Sequence, residues 1–251
     1  MNRFHTFAAG ATLALSFALP LHAPAAAMQA DAAASPLHTK SLALARITAS
    51  EAIVIGNNSD KMIAELTRLL MLDEDIVELE TDSPGSVDEM VRAMLPIMDA
   101  GMRQRLPDLQ ASYAAVYARD LTVEEIDFLI AFYSGPTGQK LINGMLDNMQ
   151  LDAVGQQLLA SGFAEGSITP DAVMNDMRAA IPAAMEEMTA ADYEVLKTLG
   201  AHPVLPKLIK LGTEAQQIHL DWSDIYAPGE EEAINAVIED IVVRRLGELD
   251  D

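Results

Sequence analysis

The stretch LTVEEIDFLIAFYSGPTGQK, Leu121–Lys140, decides the fold. Thr122 stands where a helix begins and Glu125 follows three residues on, so hydroxyl and carboxylate can each satisfy a backbone N–H of the first turn. Leu121 and Ile126 flank that cap at the two positions of a hydrophobic staple. Ile126, Leu129, Ile130 and Tyr133 recur at helical spacing and predict one buried face. Ser134-Gly135 ends the helix and Pro136 opens another, matching the preference for Gly behind a helix and Pro in its first turn. Leu141, Ile142, Met145, Leu146 and Met149 keep the helical period. The segment predicts a helical hairpin.

Further along, the same order recurs. Setting 121–150 against 188–217 without a gap gives seven identities in thirty positions, among them Thr122 with Thr189 and Pro136 with Pro203. Lys140-Leu141-Ile142 aligns with Lys207-Leu208-Ile209, and Met188 and Tyr193 repeat the staple around Thr189. Cap, staple, helix, proline break and helix in one order predict an internal repeat. The expected fold is all-α, a multi-helix bundle built from two related hairpins, 107–150 and 174–217. Within the first unit, Pro107 is expected to open a helix that turns Leu109, Tyr113, Val116 and Tyr117 inward.

Toward the N-terminus, Ser86 with Glu89 reads as a second capping box. The helix it opens presents Val87, Met90, Val91, Met94, Leu95 and Met98 on one face, with a kink at Pro96. The acidic stretch from Asp73 to Gly85 reads as a loop or a frayed helix end. Before it, Met62, Ile63, Leu66, Leu69 and Leu70 mark a helix over Asp60–Leu72. Gly162–Thr169 is expected to be a loop, and Thr169-Pro170 a helix start. A last helix, about 230–246, aligns Ile234, Val237, Ile238, Ile241 and Val242. Its Glu230-Glu231-Glu232 and Arg244-Arg245 sit at the ends that the helix dipole favours. Ile53-Val54-Ile55 is an isolated β-branched run, and no strand is expected.

Residues 1–27 read as a secretory signal. Arg3 precedes an apolar run from Phe7 to Leu21, and Ala25-Ala26-Ala27 supplies the small residues of a cleavage site. The run is shorter than the roughly 20 residues that a membrane span needs. Residues 28–37 read as a flexible leader, and 38–251 as the helical domain. Cleavage leaves 15 Lys and Arg against 38 Asp and Glu, a net charge of −23. Such a charge disfavours nucleic acid and anionic lipid as partners. The chain has no cysteine, which excludes disulfides, thiolate metal sites and cysteine nucleophiles. The expected address is the periplasm, with no membrane anchor after cleavage.

Tyr117–Ile142, YARDLTVEEIDFLIAFYSGPTGQKLI, resembles the core of the domain-of-unknown-function family 2059, over about Pro107–Met149. The resemblance rests on the tyrosine-bearing helix, the acidic cap and the turn Phe132-Tyr133-Ser134-Gly135-Pro136-Thr137-Gly138-Gln139-Lys140. In the second copy, Gly200 and Ala201 replace Tyr-Ser and Pro206 replaces Gln139, so that copy is degenerate. The resemblance implies bacterial export and a helical fold. It carries over no reaction and no catalytic residue.

Motifs for catalysis are absent: there is no G-x-S-x-G elbow, phosphate loop or dinucleotide fingerprint. His219, Asp221 and Asp224 do not have zinc spacing. Asp73-Glu74-Asp75 lacks the glycine and terminal glutamate of a calcium loop. Met90, Met94, Met98 and Met102 form a stripe at i, i+4 spacing. It reads first as core, then as the lining of a partner or apolar-ligand groove, and last as a Cu(I) site. Tyr133 and Lys140 are the other candidate binding residues, and Lys140 and Lys207 are expected to offset nearby carboxylates. No cofactor is expected. The leading expectation is a non-enzymatic periplasmic protein that binds an envelope protein or an apolar ligand. An envelope hydrolase using Asp, Glu and His is the alternative, and a metal-handling protein working through the methionine stripe is the second.

Overall fold

Capping chemistry sets where most helices start. In the computed structural model, which describes residues 35–56, 60–161 and 167–247, Ser35 accepts from the His38 N–H at 3.1 Å and Pro36 opens α1, Pro36–Thr48. The chain then forms α2 Glu51–Val54, α3 Asp60–Leu70, α4 Glu74–Asp82 and α5 Ser86–Asp120. It continues as α6 Val123–Ser134, α7 Pro136–Asn148, α8 Asp152–Ser161 and α9 Pro170–Glu186. Helices α10 Ala190–Ala201, α11 Leu205–Ser223 and α12 Glu230–Gly247 complete it. Among the described residues there are twelve helices and no strand. The expected secretory signal, residues 28–34 of the expected leader and residues 162–166 of the expected loop lie outside them. The leader's end is helical, since Pro36 and Leu37 belong to α1.

Helix α5 is the spine. Its 35 residues run through both Pro96 and Pro107, about 50 Å at 1.5 Å per residue. The expected new start at Pro107 does not occur. Each proline removes a backbone donor and costs about 3 kcal/mol in a helix interior. Here both rings lie on the exposed side, where water reaches the freed carbonyls, while Leu106, Leu109 and Tyr113 carry the buried stripe onward. Burial of roughly 1.5–3 kcal/mol per large side chain outweighs the loss.

Each half of α5 organises its own core. Val87, Met90, Val91 and Met94 meet Ile63, Leu66 and Leu70 of α3, Ile76 and Leu79 of α4, and Ile234, Ile238 and Ile241 of α12. Leu109, Tyr113 and Tyr117 meet Leu44 and Ala45 of α1, Ile126 and Leu129 of α6, and Leu211 and Trp222 of α11. Helices α7 and α9 pack together, with Gly144 against Ala184. A small third cluster joins Leu69, Val154, Leu158 and Ala172. Ile63, Leu66, Leu69 and Leu70 of α3, Ile126 and Leu129 of α6, and Ile234, Ile238, Ile241 and Val242 of α12, all read as facing inward, are buried.

Two local expectations fail, the first because apolar side chains in the segment are buried and the second because arginines of α12 engage the cap carboxylate. The residues from Asp73 to Gly85 are mostly helix: Ile76 and Leu79 are buried, and Asp73 Oδ1 accepts from the Ile76 N–H at 3.4 Å. The Ser86–Glu89 capping box does not form. Ser86 Oγ donates to Ser83 O at 2.7 Å, and Glu89 pairs with Arg244 and Arg245 of α12. The cap comes from Glu80, whose carboxylate accepts from Gly85 N at 2.7 Å and Val87 N at 3.0 Å. Gly85 turns the chain there at φ +88°, a left-handed conformation that glycine adopts without strain.

Candidate functional site

The capped hairpin forms as the residues dictate. Glu125 N donates to Thr122 Oγ1 at 3.3 Å, and Thr122 N donates to Glu125 Oε2 at 2.8 Å. In the second hairpin, Thr189 and Asp192 repeat the arrangement at 3.3 Å and 2.9 Å. Between the two hairpins the lysines cross over. Lys140, from α7, reaches Asp192 Oδ2 at 2.8 Å, and Lys207, from α11, reaches Glu125 Oε2 at 2.7 Å. Each lysine thus neutralises the cap carboxylate of the other hairpin. Thr137 adds a hydrogen bond to Asp192 Oδ1 at 2.7 Å. Sequence reasoning placed carboxylates near both lysines but not the exchange, because nothing local encodes which hairpin supplies the acid.

These contacts set the electrostatics. Lys140 first, then Thr137 and Thr189, hold the Asp192 carboxyl well below the usual carboxylate range. Lys207 first does the same, more weakly, for Glu125. A carboxyl whose folded value is lowered stabilises the fold above its unfolded value, roughly 4, and that contribution fades as pH falls toward the folded value. The Asp192→Asn variant is therefore expected to be less stable than the wild type at pH 7. It should also lose stability less steeply between pH 5 and pH 2, and urea titrations across that range measure both effects. Parallel pH profiles would refute the assignment.

The family-like turn brings its two helices into close contact. Tyr133 is half-buried beside the second core, edge-on to Phe132 at 5.1 Å, and burial raises its hydroxyl. Gly138 lies on the last turn of α6, where an added Cβ would come 2.2 Å from Phe132 O. Phe128 stacks on His202 at 3.8 Å, and His202 Nδ1 accepts from the Val204 N–H.

The other candidates separate. Met90 and Met94 are buried in the first core, and Met98 and Met102 pack half-buried against the first and second cores. At 1% and 2% exposed, Met90 and Met94 serve as packing within that core. His219 lies against Trp222 at 5.7 Å, with its pKa lowered by burial, while Asp221 accepts from Gln217. Among the described residues, no three His, Asp or Glu side chains are grouped to hold a metal ion, and no helix is long and apolar enough to cross a membrane.

Sequence reasoning missed two features. A surface cleft of about 660 Å³ is lined by Gly85, Asp88, Glu89, Arg92, Ala93, Arg244 and Arg245. Its charges pair within it, Arg92 with Asp88 at 2.8 Å and Arg245 with Glu89 at 2.7 Å. At mid-α5, Arg105 Nη1 donates to Trp222 O at 2.7 Å and its guanidinium lies 4.8 Å over the Trp222 ring. Trp222 Nε1 answers by donating to Arg105 O at 3.0 Å. Glu230 lies 3.6 Å from Arg105, and burial lowers the Arg105 pKa against the pull of Glu230. Partners more than a hundred residues apart leave no short-range signal.

Neither a search of curated proteins nor one of solved structures gives a match. The family model described as "Uncharacterized protein conserved in bacteria (DUF2059)" matches residues 107–164, the segment from mid-α5 through the first hairpin and α8, and the match stops short of the second hairpin.

Proposed function

We propose that this is an exported, non-catalytic protein of the bacterial periplasm whose work is to dock a protein partner. In this reading the second hairpin, α10 with α11, is a degenerate copy of the first, and it is the docking element. One observation carries it. Tyr193, Val195 and Ile209 are 42%, 41% and 70% exposed. Their counterparts in the first hairpin are Ile126, fully buried, and Phe128 and Ile142, both half-buried. The first hairpin is covered by α1, which packs on α6 and anchors Lys40 on Asp127. No such helix covers α10 among the described residues. Interfaces that form and dissociate mix apolar and polar surface in this way. The order of charge, apolar run and small residues over 1–27 supports export.

Photo-crosslinking in a bacterial host tests the reading. A photoreactive side chain at Tyr193 is expected to give a discrete protein adduct in the periplasmic fraction, and the same group at exposed Gln104 on α5 is not. No adduct at Tyr193, or equal adducts at both sites, would overturn it.

A further inference from the structure

Ala190, Glu194, Lys197 and Ala201 are spaced four, three and four residues apart, so they line one face of α10. All four are exposed, and the Glu194 and Lys197 side chains are each 71% exposed and pair only with one another in the described ion pairs. The matching positions of α6 are Val123, Asp127, Ile130 and Ser134, on a helix whose Asp127 is held by Lys40 of α1. The second copy keeps the acid, as Glu194, and places Lys197 where the first has the apolar Ile130. A helix covering α10 must therefore bring a base to Glu194 and an acid to Lys197, with small residues at either end.

Helix α10 itself has that chemistry. Laid antiparallel across a two-fold axis, Glu194 of one copy faces Lys197 of the other, and the reverse. In the same register Ala190 faces Ala201 and Tyr193 faces Thr198. We propose that the occupant of this face is a second copy of the chain, docked α10 on α10. This rests on the interaction reading above and names its partner. An isologous contact of this kind is self-complementary and closes as a dimer. The ion pair within each copy is exchanged for two between copies, so no charge is left without a partner. Four of the chain's six lysines, Lys140, Lys197, Lys207 and Lys210, lie on α7, α10 and α11. They relieve locally the negative charge that elsewhere opposes self-association.

Sedimentation velocity of the mature protein tests the inference through charge reversal, with circular dichroism used to establish that each variant keeps its helix content. The wild type is expected to dimerise reversibly on the order of tens of micromolar, as small interfaces do. Glu194→Lys and Lys197→Glu, each placing like charges opposite one another twice per dimer, should weaken association by about tenfold or more. The double variant E194K/K197E should regain it. A wild type that stays monomeric at several hundred micromolar, single variants that associate as well as the wild type, or a double variant no better than the singles would each overturn the inference. A monomeric protein whose Tyr193 nonetheless crosslinks to a different protein leaves the interaction reading standing and removes only the second copy. Absence of both dimer and adduct removes both.

Discussion

Gly138→Ala is expected to destabilise the fold by about 3 kcal/mol, the upper part of the range for forced overpacking. On propensity alone the sign would be the opposite, because replacing Gly by Ala inside a helix gains roughly 0.5–1 kcal/mol. The clash decides it. An alanine methyl would lie 2.2 Å from Phe132 O and 2.9 Å from both Phe132 C and Tyr133 Cα. All three are backbone atoms of the last turn of α6, so no rotamer change relieves the contact. The two helices of the hairpin must separate, and that disturbs Lys140 and Thr137 on α7, both of which bind Asp192. Gly212→Ala is the control. That glycine lies inside α11 with nothing within 4 Å of an added Cβ, so about 0.5–1 kcal/mol of gain is expected. Urea unfolding followed by circular dichroism compares the two, and a Gly138→Ala protein as stable as the wild type would show that the hairpin is not built on this approach.

The same contrast separates what the residues disclose from what they conceal. The hairpin at Leu121–Lys140 is legible because its instructions are short-range. Thr122 and Glu125 are three residues apart, and Gly135-Pro136 ends one helix and starts the next. The last helix is legible for the same reason, with Ile234, Ile238 and Ile241 on one buried face. Ser86 with Glu89 has the same local form and misleads, since two arginines of α12 compete for the carboxylate. Carboxylate caps from another element are equally hidden. Asp176 of α9 accepts from the N–H groups of Ala153 and Val154 at the start of α8, and no spacing rule connects them. Pro107 is a fair start signal in isolation, overridden by burial on both sides of it. The lysine exchange joins both classes: the cap acids are visible in the sequence, but their pairing across hairpins appears only when α7 meets α10 and α11 meets α6.

Arg105→Met is expected to cost about 3–5 kcal/mol, the range for removing one member of a buried ion pair. The two halves of α5 serve different cores, and Arg105 stands near the boundary, between Pro96 and Pro107. Its side chain ties that boundary to the ends of two other helices, Trp222 near the end of α11 and Glu230 at the start of α12. Glu230 lies directly on Gly101, where an added Cβ would fall 2.1 Å from its Oε2, and accepts from the Ala227 N–H at 2.7 Å. Methionine preserves much of the length and the apolar stem but leaves the Glu230 carboxylate buried without its cation. It also deletes the donor to Trp222 O and the guanidinium over the indole, a contact worth roughly 0.5–2 kcal/mol. Lysine is no substitute, since an ammonium lacks the planar fork that meets a carbonyl and a carboxylate together. Pairing Arg105→Met with Glu230→Gln removes the orphaned charge while keeping an acceptor for Ala227. If the charge is what costs, the double variant should be more stable than Arg105→Met alone by at least about 1 kcal/mol. A single variant that costs under 1 kcal/mol, or a double variant no better than it, would mean that the two cores are joined by packing alone and that Arg105 only fills space between them.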